Sequence, residues 1–72
     1  MYNRIRDLRE DRDLSQSKIA AILGVHQTTY SDYELGNLSI TADVLIKLAK
    51  FYNTSTDYIL GLTDNPKPAD KR

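Results

Sequence analysis

Three glycines, Gly24, Gly36 and Gly61, each stand just past a stretch whose apolar residues recur at helical spacing. Glycine suits that place because the left-handed backbone that closes a helix costs it nothing sterically. No segment alternates apolar and polar residues with period two over a useful length, so strands are not expected. The chain reads as all-α. Its 72 residues allow one domain, and 40% apolar residues suffice for one small core.

Five helices follow from the periodicity. The first, residues 2–12 (Tyr2 to Arg12), puts Ile5 and Leu8 on one face and charges elsewhere. The second, residues 16–23, begins after the N-cap Ser15 and carries Ile19, Ala20, Ile22 and Leu23 as its apolar stripe. A capping box would want Glu or Gln at position 18, where Lys18 stands. Gly24-Val25-His26 is a three-residue turn into the third helix, residues 27–35. That helix has two large inward residues, Tyr30 and Tyr33, with a phenol expected to reach toward the surface. Its other face is small and polar: Gln27, Thr28, Ser31 and Asp32. Core packing alone explains such a helix poorly. Thr41 caps the fourth helix, in which Val44, Leu45, Leu48, Ala49 and Tyr52 keep helical spacing. A short fifth starts after Ser55, with Asp57 in its first turn favourable to the helix dipole, and ends at Gly61. Residues 1–62 form the folded domain, and residues 63–72, which hold both prolines, a polar tail expected to be flexible.

Several function classes fall away on composition. With no Cys and one His, neither a thiolate metal site nor a cysteine nucleophile is available, and no metal or other cofactor is expected. Ser15-Gln-Ser-Lys18 matches a serine-acylase pattern but lacks its partner motifs, and an N-cap accounts for Ser15 better. Enzyme activity is not expected. The longest apolar run, Ile19 to Leu23, is far too short to span a membrane, and the first residues lack the apolar segment of a signal peptide. A cytoplasmic protein is expected. Ten Lys and Arg balance ten Asp and Glu, which by itself argues mildly against a nucleic-acid partner.

The second and third helices, joined by a three-residue Gly-containing turn, have the form of a helix-turn-helix at residues 16–35. The run Leu14-Ser-Gln-Ser-Lys-Ile-Ala-Ala-Ile-Leu-Gly-Val25, then Gln27-Thr-Thr-Tyr-Ser-Asp-Tyr-Glu34 and Gly36, closely resembles the phage-repressor-like (Xre-type, lambda-repressor-like) helix-turn-helix family. The likeness continues through Leu45-Ile-Lys-Leu-Ala49 and Ser55-Thr-Asp-Tyr-Ile-Leu-Gly61, and covers residues 3–62.

That resemblance implies a compact five-helix DNA-binding domain and a transcriptional regulator, a small repressor reading the major groove of double-stranded DNA with residues 27–35. It puts Gln27, Thr28 and Asp32 at base-reading positions: Gln27 to pair with adenine, Thr28 to touch a thymine methyl, Asp32 to accept from a cytosine amino group. Gln16, Thr29 and Asn37 become phosphate contacts, although Thr29 is equally suited to bonding its own helix backbone. Arg9 and Glu34 become a structural ion pair between the first and third helices. A homodimer on a palindromic operator is implied, and the flank of the fifth helix, with Tyr58 and Leu62, is the surface expected for it.

The sequence also departs from the family pattern. His26 stands where a Ser or Thr N-cap is usual, a loss of about 1 kcal/mol. The stretch Leu35 to Ser39 carries no Lys or Arg, and Asp32 directs a negative charge toward DNA. Two rivals follow: an antitoxin or other protein-interaction module with a protein partner on the same fold, and the DNA-binding part of a longer regulator.

Overall fold

The computed structural model describes residues 3–68. Five helices follow one another: α1 (Asn3–Asp11), α2 (Gln16–Leu23), α3 (Gln27–Leu35), α4 (Ala42–Tyr52) and α5 (Thr56–Leu60). There is no strand among the described residues. The expected start of the first helix at Tyr2 lies outside them, as do residues 69–72 of the tail. No helix of the described chain is long and apolar enough to cross a membrane.

The helix ends are set by local chemistry. Ser15, Thr41 and Ser55 hold extended backbone and each accepts the N–H three residues on, of Lys18, Val44 and Tyr58. His26 occupies the same place ahead of α3 without any side-chain capping bond. α1 ends at Asp11, a residue before the expected end, because Asp13 turns left-handed (φ 55°) and the Leu14 N–H then bonds back to the Arg9 carbonyl at 3.1 Å. Asn53 closes α4 in the same left-handed geometry, with φ 54°.

The helices pack α2 on α3 and α4 on α5, while α1 touches both α3 and α5 and α2 touches α4. One core forms between them. Ile5 of α1, Ile19 and Leu23 of α2, Tyr30 of α3, Leu48 of α4 and Ile59 of α5 are its fully buried large side chains. Burying each such aliphatic group contributes roughly 1.5–3 kcal/mol. Tyr33 and Tyr52 complete the interior, and the rings of Tyr30 and Tyr33 meet edge to face at 6.5 Å. Of the two α3 phenols, that of Tyr30 stays inside: the residue is wholly buried, with its hydroxyl enclosed among Glu34, Arg9 and Tyr52.

Arginines of α1 brace this core from outside. Arg4 Nη1 donates to the carbonyls of Tyr58 (3.0 Å) and Thr63 (2.8 Å), and Nη2 reaches Asp64 at 2.7 Å. Its guanidinium also lies over the Tyr58 ring, 4.2 Å from the centroid. Arg12 donates to the Tyr52 carbonyl at 3.2 Å and stacks near the Tyr52 ring. Thr54, the buried polar residue between α4 and α5, donates to the Pro66 carbonyl at 2.6 Å. The segment read from the sequence as a tail from residue 63 is thus tied to the body at Thr63, Asp64 and Pro66. The bonds come from side chains more than ten residues away, which composition does not report.

Candidate nucleic-acid interface

α2 and α3 are held at a fixed angle by the Gly24-Val25-His26 turn and by side chains packed between them. Gly24 has φ 75°, and its N–H and that of Val25 satisfy the carbonyls of Ala21 and Ala20 at the end of α2. Lys47 of α4 donates to the Leu23 carbonyl at 3.3 Å, a cation at the negative end of the α2 dipole. α3 turns its two tyrosines inward, leaving its polar side chains to line the outside.

Gln27 and Thr28 are exposed in the first turn of α3, where backbone N–H groups also lack helical partners. Thr29 and Asp32 are half-buried, and Asn37 is exposed in the turn beyond Gly36. The Asn37 N–H closes the helix on the Asp32 carbonyl at 3.0 Å, leaving its side chain outside that bond. Neutral amides and hydroxyls of this kind match base edges and phosphate oxygens, and α3 itself carries no Lys or Arg. Among the described residues no cluster of His, Asp or Glu is placed to hold a metal ion.

Gln16 opens α2 and is half-buried, for a reason that local sequence does not disclose. Its Nε2 donates to Glu34 Oε1 across the helix pair at 3.1 Å. Glu34 also receives Arg9, from Nε to Oε2 at 2.7 Å and from Nη2 to Oε1 at 3.2 Å. The third Arg9 nitrogen, Nη1, donates to the Leu14 carbonyl just before the α2 cap, at 2.8 Å. One guanidinium thereby joins α1, the α1–α2 turn and α3.

The pair is largely out of solvent, with 13% of the Arg9 side chain and 5% of the Glu34 side chain exposed. Burial works to raise the Glu34 carboxyl, but the hydrogen bonds from Arg9 and Gln16 outweigh it and hold the group below its ordinary value. The same bond to Glu34 pushes the Arg9 guanidinium up. Burial, followed by the charge of Glu34, pushes the Tyr30 phenol up. That hydroxyl lies near the carboxylate but out of hydrogen-bond geometry. Resemblance brings Gln16 forward as a phosphate contact. Its bond to Glu34 leaves no local trace, because the two residues are eighteen apart.

The chain matches the family model described as Helix-turn-helix over residues 5–59. It is 40% identical over 73 residues to the uncharacterized HTH-type transcriptional regulator YobD of Bacillus subtilis (strain 168), covering all of this chain and 65% of that protein. It is 48% identical over 50 residues to the cryptic phage CTXphi transcriptional repressor RstR of Vibrio cholerae, covering 69% of this chain and 45% of that one. A third relative, the HTH-type transcriptional regulator ImmR of Bacillus subtilis (strain 168), is 34% identical over 58 residues, covering 81% of this chain and 46% of that one. The chain thus spans between about half and two thirds of the length of these relatives. No solved structure matches it significantly.

Proposed function

Because the chain belongs to the helix-turn-helix family, we propose that it is a sequence-specific DNA-binding regulator of transcription and acts as a repressor, with α3 in the major groove and α2 crossing the backbone. The observation that carries this reading is the division of α3. Its tyrosines are spent on the core, while Gln27 and Thr28 stand exposed at the end that meets base edges. In this reading Gln27 pairs with adenine, Thr28 meets a thymine methyl and Asp32 accepts from a cytosine amino group. Each good contact discriminates by roughly 1–3 kcal/mol. Gln16 keeps one amide N–H free for a phosphate oxygen, and Thr29 and Asn37 add neutral phosphate contacts.

The repressor named among the relatives supports repression, and occupation of an operator excludes polymerase sterically. The protein binds as a homodimer on a palindrome, with half-sites about 34 Å apart. Leu60 and Leu62, exposed at and beyond the end of α5, suit the dimer surface. It acts as a binding protein in the compartment of its DNA, with no chemistry of its own. The test is a gel shift against a library of short duplexes at two salt concentrations. Gln27→Ala with the fold intact is expected to change the preferred sequence; an unchanged preference overturns base reading.

A second reading, a protein-interaction module such as an antitoxin, is favoured by Leu35 and Leu38, exposed at the end of α3 and just beyond it in a stretch without charge. Purification with a stoichiometric protein partner and no selected duplex would favour it.

A further inference from the structure

The Glu34 carboxylate holds two helices at once. Oε2 and Oε1 take Arg9 of α1, and Oε1 also takes the Gln16 amide of α2 at 3.1 Å. A primary amide has two N–H groups, so this bond spends one and fixes the direction of the other. Gln27 lies seven residues before Glu34 on α3. Seven residues of helix fall about 20° short of two full turns, so the two side chains share one stripe. Whatever fixes the rotation of α3 at Glu34 therefore fixes it at Gln27. A side-chain tip stands several ångströms from the helix axis, so a rotation of about 10° moves it by about 1 Å, enough to take a bond out of the 2.7–3.2 Å range.

We infer that Glu34 is a positioning residue for sequence discrimination, which by gripping the Gln16 amide locks the base-reading edge of α3 to the phosphate-facing start of α2. The inference rests on the DNA-binding reading. Arg9 ties α3 to α1, whereas Gln16 ties it to α2, the helix that crosses the backbone in that docking. Phosphate contact and base reading then move as one body.

The test is Gln16→Met, which keeps the size of the side chain and leaves the Arg9–Glu34 pair in place. Affinities are measured for the duplex that the wild type selects and for duplexes with single base-pair changes at the positions read by Gln27 and Thr28. The variant is expected to bind all of them more weakly and to discriminate among them at least about threefold less well. Equal weakening on every duplex, with the ratios unchanged, would overturn the inference and leave Gln16 a phosphate contact alone. A second measurement needs no DNA. The protein has two glutamines, Gln16 and the exposed Gln27, and one Gln16 side-chain amide proton is expected to exchange at least about tenfold more slowly than those of Gln27. Equal exchange would overturn the link. If the wild type selects no duplex, the DNA reading falls and the role in discrimination with it, while a slowed Gln16 proton still reports the hydrogen bond.

Discussion

Arg9 and Glu34, twenty-five residues apart, meet through two N–H to oxygen contacts at 2.7 and 3.2 Å. Both side chains are almost wholly out of solvent. Removing one partner from such a pair strands the other charge, at a cost of about 3–5 kcal/mol. That is a large share of what a small domain has. Arg9→Met is expected to be mostly unfolded in mild urea, whereas Arg9→Met with Glu34→Leu recovers most of the loss. Urea melts of the three proteins check it; equal destabilisation by single and double variants would contradict the pairing.

Glu34 also sets an acid limit. Its folded carboxyl lies below the ordinary value of 4.5, so the unfolded chain binds the proton more readily. The stabilisation is complete above the ordinary value and is lost as pH falls through the folded one. Wild-type stability should therefore drop more steeply below about pH 4.5 than that of Glu34→Gln. Chemical melts at a series of acid pH values read the difference, and parallel curves would refute it.

Much of this scaffold was legible along the chain, because helix ends are local chemistry. Ser15, Thr41 and Ser55 sit one residue ahead of apolar periodicity, and Gly24, Gly36 and Gly61 just beyond it. Tyr30 and Tyr33 declare their face by spacing. The Arg9–Glu34 pair was reachable only through resemblance, and the Gln16–Glu34 bond not at all, because side chains eighteen residues apart leave no pattern in the intervening sequence. Arg4 shows the same limit: its partners Tyr58, Thr63 and Asp64 lie at the far end of the chain.

The Tyr52 hydroxyl is buried without a hydrogen-bond partner, and burial pushes its ionisation up to about 12. An unmet buried hydroxyl costs about 1–3 kcal/mol, so Tyr52→Phe should be neutral or stabilising by about 1 kcal/mol. In the wild type the folded phenol binds its proton more tightly than the unfolded one. Stability from this group is therefore present below pH 10 and lost as pH rises toward 12. The Tyr52 share of the tyrosinate absorbance, read as the difference from Tyr52→Phe, should appear together with loss of helical circular dichroism. Marked destabilisation by Tyr52→Phe would mean that the hydroxyl is satisfied.

His26 precedes α3 in extended backbone, φ −68° and ψ 149°, without the side-chain bond that the other capping residues make. A hydroxyl there has a free N–H to accept. His26→Ser should raise stability by about 1 kcal/mol, visible as a higher urea midpoint at unchanged slope. No gain would show that the first turn of α3 is already satisfied.

Zero net charge bears on how DNA is held. Arg4, Arg9 and Arg12 are engaged with carbonyls, a carboxylate or aromatic rings of their own chain, and Arg6 pairs with Glu10 at 3.3 Å. α3 adds no cation and carries both Asp32 and Glu34. On the helix pair α2 and α3 the single cation is Lys18, so phosphate contacts are expected to fall mainly to backbone N–H groups and neutral side chains. The logarithm of affinity against the logarithm of salt should have a slope smaller in magnitude than about 4, since each neutralised phosphate contributes roughly 0.9. Binding to unrelated duplexes should be weak throughout. Titrations of one duplex at several salt concentrations measure the slope. A value near that of a protein releasing many counterions would show that the α1 arginines leave their internal partners for phosphate.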